Sequence, residues 1–387
     1  MMAMRYRELY DEYRDLLAQE TVLRQEMHGI PKGYLVTKKI AGKEYLYLQY
    51  SAQGKKKSEY VREEDQTRVR AAVARREPAK EELNALHREQ CRLESAAKIL
   101  DGNLYRTFVF LKQCAEMDAM PMEKRSDALA FARAMTALEG LEAKEETEQN
   151  LLLWARGEKK FADFYMKSLQ SYHGEELKIA EGDLTRMSMG IVYAREYEKF
   201  HTETLCDIHR TIFGGLYEWA GEFRTIPIMK AEEVLGGDTV RYAAPSEIKK
   251  QLDMASKEIA RIKPTADKKD IVFKIVRITA AIWQTHPFRE GNTRSVVAFS
   301  VLLASKLGVK LDYELFASHA AYVRNALVWC TQGIYSVYDY LERIYFDAAG
   351  LLDNQPEQTA AKQKDYSVIE GYKVADYKEQ PHTYMEG

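Results

Sequence analysis

The chain has 387 residues, enough for two or three domains, and its 46% apolar and 30% charged content is that of a soluble globular protein. A formal charge of −2 argues against a chain given over wholly to nucleic acid, and no window approaches the ~18 uninterrupted apolar residues of a membrane span. Four widely spaced cysteines and a charged N-terminus without the apolar run of a signal peptide lead to an expected cytoplasmic location.

Residues 5–28 read as a helix whose Tyr6, Leu9, Tyr13, Leu16, Leu23 and Met27 share a heptad seam. Gly29, Pro31 and Gly33 stop it. Residues 33–61 then alternate like short strands, with turns at Ala41-Gly42-Lys43 and Gln53-Gly54. A second long helix follows, with Leu86, Leu93 and Leu100 spaced by sevens, so residues 1–110 predict a coiled-coil hairpin with a small β tip. Lys38, Lys39, Lys43 and Lys55-Lys56-Lys57 stand among Tyr45, Tyr47 and Tyr50 on that tip. Basic groups beside aromatics are one way to bind nucleic acid, but the preferred reading is a solvated hairpin whose lysines guard its edges, because the fragment's basic surplus is modest.

Residues 123–172 read as helical with a sharp turn at Glu139-Gly140-Leu141, and residues 185–350 as helical again, interrupted by Leu235-Gly236-Gly237-Asp238-Thr239 before a short hairpin through Val240 and Tyr242. Beyond Asn354 the chain turns polar, and residues 351–387 are expected to form a disordered tail. His201 and His209 lack further ligand-type neighbours and read as packing residues rather than metal ligands.

The densest chemistry lies in HPFREGNTRSVV, His286 to Val297. An apolar helix carrying Ile271, Ile275, Ile278 and Ile282 runs into it, and another with Val296, Phe299, Leu302 and Leu303 leaves it, so the stretch is a helix–loop–helix elbow. Gly291 lets the backbone turn tightly, and the free N–H groups opening the next helix are a natural phosphate cradle. Arg294 is placed to grip phosphate oxygens, Glu290 to hold a Mg²⁺ that neutralises them, and His286 to act as general base. Those parts suit transfer of a phosphate-containing group to a hydroxyl. Spacing alone does not separate this reading from an ordinary helix end and turn.

The stretch resembles the signature of the Fic family, His-Pro-Phe-x-[Asp/Glu]-Gly-Asn-Gly-Arg-x-x-Arg, and Ile208 to Thr225 (IHRTIFGGLYEWAGEFRT) is similar to the family's second recurring segment. The resemblance covers roughly residues 185–350. It implies an all-α Fic-type bundle with a small β-hairpin flap, in which AMP passes from ATP to a Ser, Thr or Tyr hydroxyl of a target protein. By matching position it implies His286 as base, Glu290 on Mg²⁺, Asn292 with the backbone around Gly291 and Thr293 on the phosphates, and Arg294 on the β-phosphate. Val240 and Tyr242 would lie in the target-docking flap. Thr293 stands where the family has glycine, and Val297 where it has a second arginine.

Residues 127–165 resemble the small VbhA-type antitoxins that repress Fic enzymes, with Glu139-Gly140 matching the Glu-[Gly/Asn] of the inhibitory pattern and Met135 replacing its Ser or Thr. The same pair also reads as a helix C-cap. The expected organisation is therefore 1–110 coiled-coil and β tip, 111–180 antitoxin-like inhibitory segment, 181–350 catalytic domain and 351–387 tail. The alternatives are a Fic-fold transferase of another phosphate-containing group and a non-catalytic adaptor.

Overall fold

Helical periodicity carries through to the fold. The computed structural model describes residues 5–52, 55–172, 177–352, 365–369 and 383–384, and the described elements are fourteen α-helices, five short 3₁₀ helices and two small antiparallel sheets. They form two compact units, one within residues 1–125 and 156–166, the other within 126–155 and 167–387.

In the smaller unit, α1 (Arg7–His28) and α2 (Gln66–Leu100) pair antiparallel, joined through β1 (Tyr34–Ile40), β2 (Lys43–Ala52) and β3 (Lys55–Tyr60), which form a sheet in the order β1-β2-β3. Positive φ at Ala41 and Gly42 makes the first turn as expected; the expected turn at Gln53-Gly54 lies outside the described residues. The lysines bond across the strands. Lys38 donates to Ser58 at 2.9 Å and lies over the Tyr47 ring, and Lys39 pairs with Glu44 at 3.4 Å.

The seam of α1 departs from a simple heptad. Tyr13, Leu17 and Leu23 are buried, with Leu17 rather than Leu16 fully inside. The cause is a third helix, α3 (Gly102–Asp118), whose Phe108 stacks on Tyr13 at 4.0 Å and widens the apolar face. Leu100, expected on the seam of α2, is half exposed at its end, where Asp101 caps α3 through the Asn103 and Leu104 amides.

The larger unit contains residues 126–137 of α4 (Met122–Ala137), then α5 (Glu145–Ala155), and beyond 167 the helices α7 (Leu177–Ala194), α8 (Thr202–Phe213), α9 (Ile248–Arg261), α10 (Lys268–Thr285), α11 (Asn292–Lys306), α12 (Tyr313–Ser318), α13 (Ala320–Trp329) and α14 (Asp339–Ala348); α6 (Phe161–Ser171) contributes its last residues. One core runs through α4 and α7 to α14. Ile271, Val272, Ile275, Val276, Ile282 and Trp283 of α10 meet Val296, Val297, Phe299 and Leu303 of α11. Asp267 starts α10 by accepting the Lys269 and Asp270 amides. The two helices enclose the elbow expected from the sequence.

α4, α5 and α7 are clasped by a buried guanidinium. Arg186 of α7 donates Nε to the Thr136 hydroxyl at 2.7 Å and Nη1 to Glu148, which also takes Arg133 at 2.8 Å. The clasp fixes the end of α4, and with it Glu139. Close approach completes it: Asp183 accepts the Lys144 amide at 2.7 Å, and a Cβ on Gly182 would meet the Glu142 carbonyl oxygen at 2.3 Å. Most of the tail from residue 351 lies outside the described residues; within it, Tyr366 and Ile369 are buried in the core, and β5 (Thr383–Tyr384) pairs with β4 (Ile228–Met229).

Alanine is a better helix former than glycine by about 1 kcal/mol, so an open site would gain from the exchange. At Gly182 the overlap outweighs that gain, and Gly182→Ala is expected to destabilise the larger unit by about 1–3 kcal/mol. A thermal melt of the variant at or above the wild-type midpoint would contradict this packing.

Candidate active site

The elbow begins with a backbone that helices avoid. His286, closing α10, sits in the left-handed region at φ +48°, and Gly291, opening α11, at φ +74°. For Gly291 the space is as restrictive as the dihedral, because a Cβ would lie 2.2 Å from the Phe213 ring.

Arg224 holds the first half of the loop. Its buried guanidinium donates Nε to the His286 carbonyl at 2.7 Å, Nη1 to the Ile226 carbonyl at 2.9 Å and Nη2 to the carbonyls of Ala243 and Thr285, while its amide donates to Pro287 at 2.8 Å. His209 of α8 holds the second half. Its Nδ1 accepts the Gly221 amide at 2.8 Å, so Nε2 carries the proton and donates to the Glu290 carbonyl at 2.9 Å, and the ring stacks on Phe288 at 3.8 Å. Burial, with smaller contributions from Arg294 and Arg210, pushes the His209 pKa down to about 3, against the Glu290 hydrogen bond.

His286 is buried, with its ring 4.2 Å from that of Tyr242 and edge-on to Trp283. Its Nδ1 lies 3.4 Å from the Trp283 carbonyl, which selects the Nδ1-protonated tautomer and makes Nε2 the basic nitrogen. Asn292 bonds to the backbone of its own loop. Its Oδ1 accepts the Phe288 amide at 2.9 Å and its Nδ2 donates to the Phe288 carbonyl at 2.8 Å, so the side chain closes the loop. Two more side chains stand in the first turn of α11. Thr293 accepts from the Trp283 indole at 3.2 Å. Arg294 is buried over the Phe213 ring, with Nη2 2.5 Å from Glu181 Oε1 and with Nε and Nη1 buried and making no hydrogen bond.

Glu139 reaches this cradle. It follows α4 directly, and Gly140 at φ +63° turns the chain while the Leu141 amide bonds back to Thr136, so the helix-cap reading holds as well. The carboxylate hydrogen-bonds with Thr293 and pairs with Arg324 of α13 at 3.4 Å. Burial raises its pKa, but Arg324, Arg294 and Lys230, together with Thr293, outweigh burial and hold it below the usual carboxylate range. Val297, one turn into α11, is fully buried in the core.

The flap is a hairpin with arms further apart than the sequence suggested. Its incoming arm is β4, Ala231 bridges Thr239, and Gly236 and Gly237 turn the chain at positive φ. Val240 is buried in the core, and the Tyr242 hydroxyl donates to Glu232 at 3.2 Å. Glu290 is half-buried at the loop apex. Arg224, Arg324, Glu181 and Glu232 were not singled out in the sequence; Arg224 alone carried a signal, as the arginine next to the end of the segment 208–225.

These features define a mainly helical domain built around a helix–loop–helix elbow that carries a buried histidine. The chain carries a Fic/DOC family domain, matched over residues 199–304, preceded by a match to a domain of unknown function (DUF6788) over residues 5–71. Among similar proteins are the protein adenylyltransferase VbhT of Bartonella schoenbuchensis, 27% identical over 34% of this chain and 28% of its own length, and a protein adenylyltransferase of Bartonella henselae, 28% identical over 34% and 26%. A probable protein adenylyltransferase, y4lH, of Sinorhizobium fredii is 31% identical over 27% of this chain and 53% of its own. The chain thus spans little more than a quarter of the first two relatives and about half of the third. A solved N-terminal FIC domain of the Bep8 protein from Bartonella sp. 1-1C aligns at TM-score 0.39 and 17% identity over 50% of this chain and 91% of that one. Among the described residues no helix is long and apolar enough to cross a membrane.

The pKa of His209 dictates a pH response. Neutral in the folded chain down to about 3, His209 titrates near 6.5 once unfolded, so the unfolded state binds the extra proton between those values. Its contribution to stability is complete above pH ~6.5 and is lost as pH falls toward ~3. A wild-type melting temperature should drop more steeply between pH 7 and 5 than that of His209→Gln. Parallel slopes in calorimetry would refute it.

Proposed function

We propose that the protein transfers AMP from ATP to a hydroxyl of a target protein and that Glu139 represses the reaction. The supporting observation is that one loop, held by Arg224 and His209, sets a basic histidine nitrogen, a carboxylate and a buried guanidinium with unbonded N–H groups around the N-terminus of one helix. The adenylyltransferase names of the similar proteins support the same reading.

In this reaction the target oxygen attacks the α-phosphorus, its proton passes to Nε2 of His286, and the bond from the α-phosphorus to the bridging oxygen breaks, so that pyrophosphate leaves with the electron pair. Arg294 and the first amides of α11 stabilise charge on the phosphates. Glu290 would hold Mg²⁺, which suits one carboxylate plus phosphate oxygens and would neutralise the leaving group. The donors of Arg294 left unbonded in this structure fit such a polyphosphate.

Glu139 supports autoinhibition by its position. A carboxylate bonded to Thr293 and facing Arg294 lies where donor phosphates would bind, and like charge repels them. The rival donor chemistry, prompted by Val297, is separated by label: transfer from α-labelled ATP indicates nucleotidylation, and transfer from γ-labelled ATP indicates phosphorylation.

Two variants follow. His286→Ala should lower α-label transfer by about 10²–10⁴-fold while ATP binding persists, and near-normal turnover would end the assignment of the base. Glu139→Gly should raise transfer, and Glu139→Gln should raise it less because its bulk remains. If Glu139→Gly is no faster than wild type while His286 is still required, residues 127–165 are structural and control lies elsewhere.

A further inference from the structure

The three-stranded sheet of the smaller unit has two faces, and its register sorts the residues between them. Directly opposed residues of an antiparallel pair point the same way, and neighbours along a strand alternate. Leu35 opposes Leu48, Thr37 opposes Leu46, and Leu48 opposes Glu59, so these share the inner face, where Leu46 is buried. The other face is open. On it Tyr34 opposes Gln49, Val36 opposes Tyr47, Lys38 opposes Tyr45, Ile40 opposes Lys43, Tyr47 opposes Tyr60, Gln49 opposes Ser58 and Ser51 opposes Lys56. None of these residues is buried, and Tyr34, Ile40 and Tyr60 are about half exposed.

Charge divides along the same line. Both acids of the strands, Glu44 and Glu59, fall on the inner face, where Lys39 pairs with the first and the Tyr50 hydroxyl donates to the second. The open face carries Lys38, Lys43 and Lys56 and no acid. Lys38 contacts neutral groups only, the Ser58 hydroxyl at 2.9 Å and the Tyr47 ring at 4.3 Å. Tyr45 and Tyr47 stand two residues apart on β2, about 6.8 Å along the strand, and Tyr60 meets both edge-on at 5.9 and 5.7 Å. A charge count over the fragment hides this separation, because the two glutamates cancel lysines that they do not face. Guarding the sheet edges would need charge on β1 and β3; it gives no reason for a tyrosine cluster on the open face of the central strand.

We propose that this open face binds single-stranded nucleic acid, with Tyr45, Tyr47 and Tyr60 as the platform on which bases stack and Lys38, Lys43 and Lys56 as the phosphate contacts. Every base has a π-face, so such a platform tolerates any sequence, and the phosphates meet no carboxylate on this face to repel them. Lys38, held over the Tyr47 ring, sets a phosphate contact beside a stacking ring. A duplex keeps its base faces stacked on one another, so the platform selects single strands. The inference stands apart from adenylyl transfer and uses no residue of the elbow.

The test is fluorescence anisotropy of the full chain with labelled oligo-dT and oligo-U of about fifteen nucleotides, and with a hairpin duplex of matching charge. The single strands should bind at least about tenfold more tightly than the duplex, and the tighter of the two tells DNA from RNA. Between about 50 and 200 mM salt, log K should fall against log salt with a slope of about −2, from three phosphate contacts at about 0.7 each. Tyr45→Leu with Tyr60→Leu should weaken binding about tenfold or more and keep that slope, while Tyr60→Phe, which retains the ring, should bind like wild type. Lys38→Gln, Lys43→Gln and Lys56→Gln together should bring the slope toward zero, whereas Lys39→Gln with Lys57→Gln, on the inner face, should leave it near the wild-type value. Thermal melts identify any variant that has lost its fold, and Tyr60→Phe then carries the comparison with wild type. Absence of binding at about 50 mM salt would overturn the proposal and leave the face to a protein partner. Equal affinity for duplex and single strand, or equal losses from the two sets of lysines, would overturn it as well.

Discussion

Everything at the site depends on Arg224 bonding to backbone rather than to an acid. A left-handed histidine followed by proline has no helical partner for its carbonyls, and burying them unpaired would cost about 1–3 kcal/mol apiece. One planar guanidinium with donors fanned in fixed directions satisfies the carbonyls of Thr285 and His286 and, on its other side, those of Ile226 and Ala243. The loop that carries the histidine and the base of the flap are thereby tied to a single side chain. Burial lowers its pKa, with the nearby Tyr242 acting against that, but a guanidinium remains charged at any physiological pH.

The remaining rigidity comes from α8. His209 and Phe213, four residues apart and so on one helical face, address the loop from below: one bonds the Glu290 carbonyl, the other fills the space that a side chain at Gly291 would need and carries the Arg294 guanidinium on its ring. This explains why two stretches about eighty residues apart act as one unit. The second stretch supplies the bed on which the first is laid.

The elbow was legible because its signals are local: apolar periodicity on both sides, a proline, a glycine, and a cluster of polar residues between. The end of α10 at His286 and the end of α11 near Gly308 follow from those signals, while the start of α11 at Asn292 lies earlier than the apolar pattern placed it. The loop-closing bonds of Asn292 were not legible, since an amide between glycine and threonine gives no sign of which backbone groups it meets. The flap arms and Val240 were misplaced for a similar reason, because a glycine pair marks the turn but not how far the arms run before pairing. Arg324 was invisible. It sits in an ordinary amphipathic helix, and only the packing of α13 shows that its charge meets Glu139. In the smaller unit, the third helix moved the buried seam from Leu16 to Leu17, a shift that a two-helix pattern cannot report.

The two-residue ladder between Ile228–Met229 and Thr383–Tyr384 has its own bearing on recognition. It closes one edge of the flap with backbone from the same chain, and a tethered strand competes at an effective concentration of order millimolar. An outside strand seeking that edge must therefore outbid a neighbour that never diffuses away. Shortening the chain from its C-terminal end would open the edge without altering a single residue of the cradle.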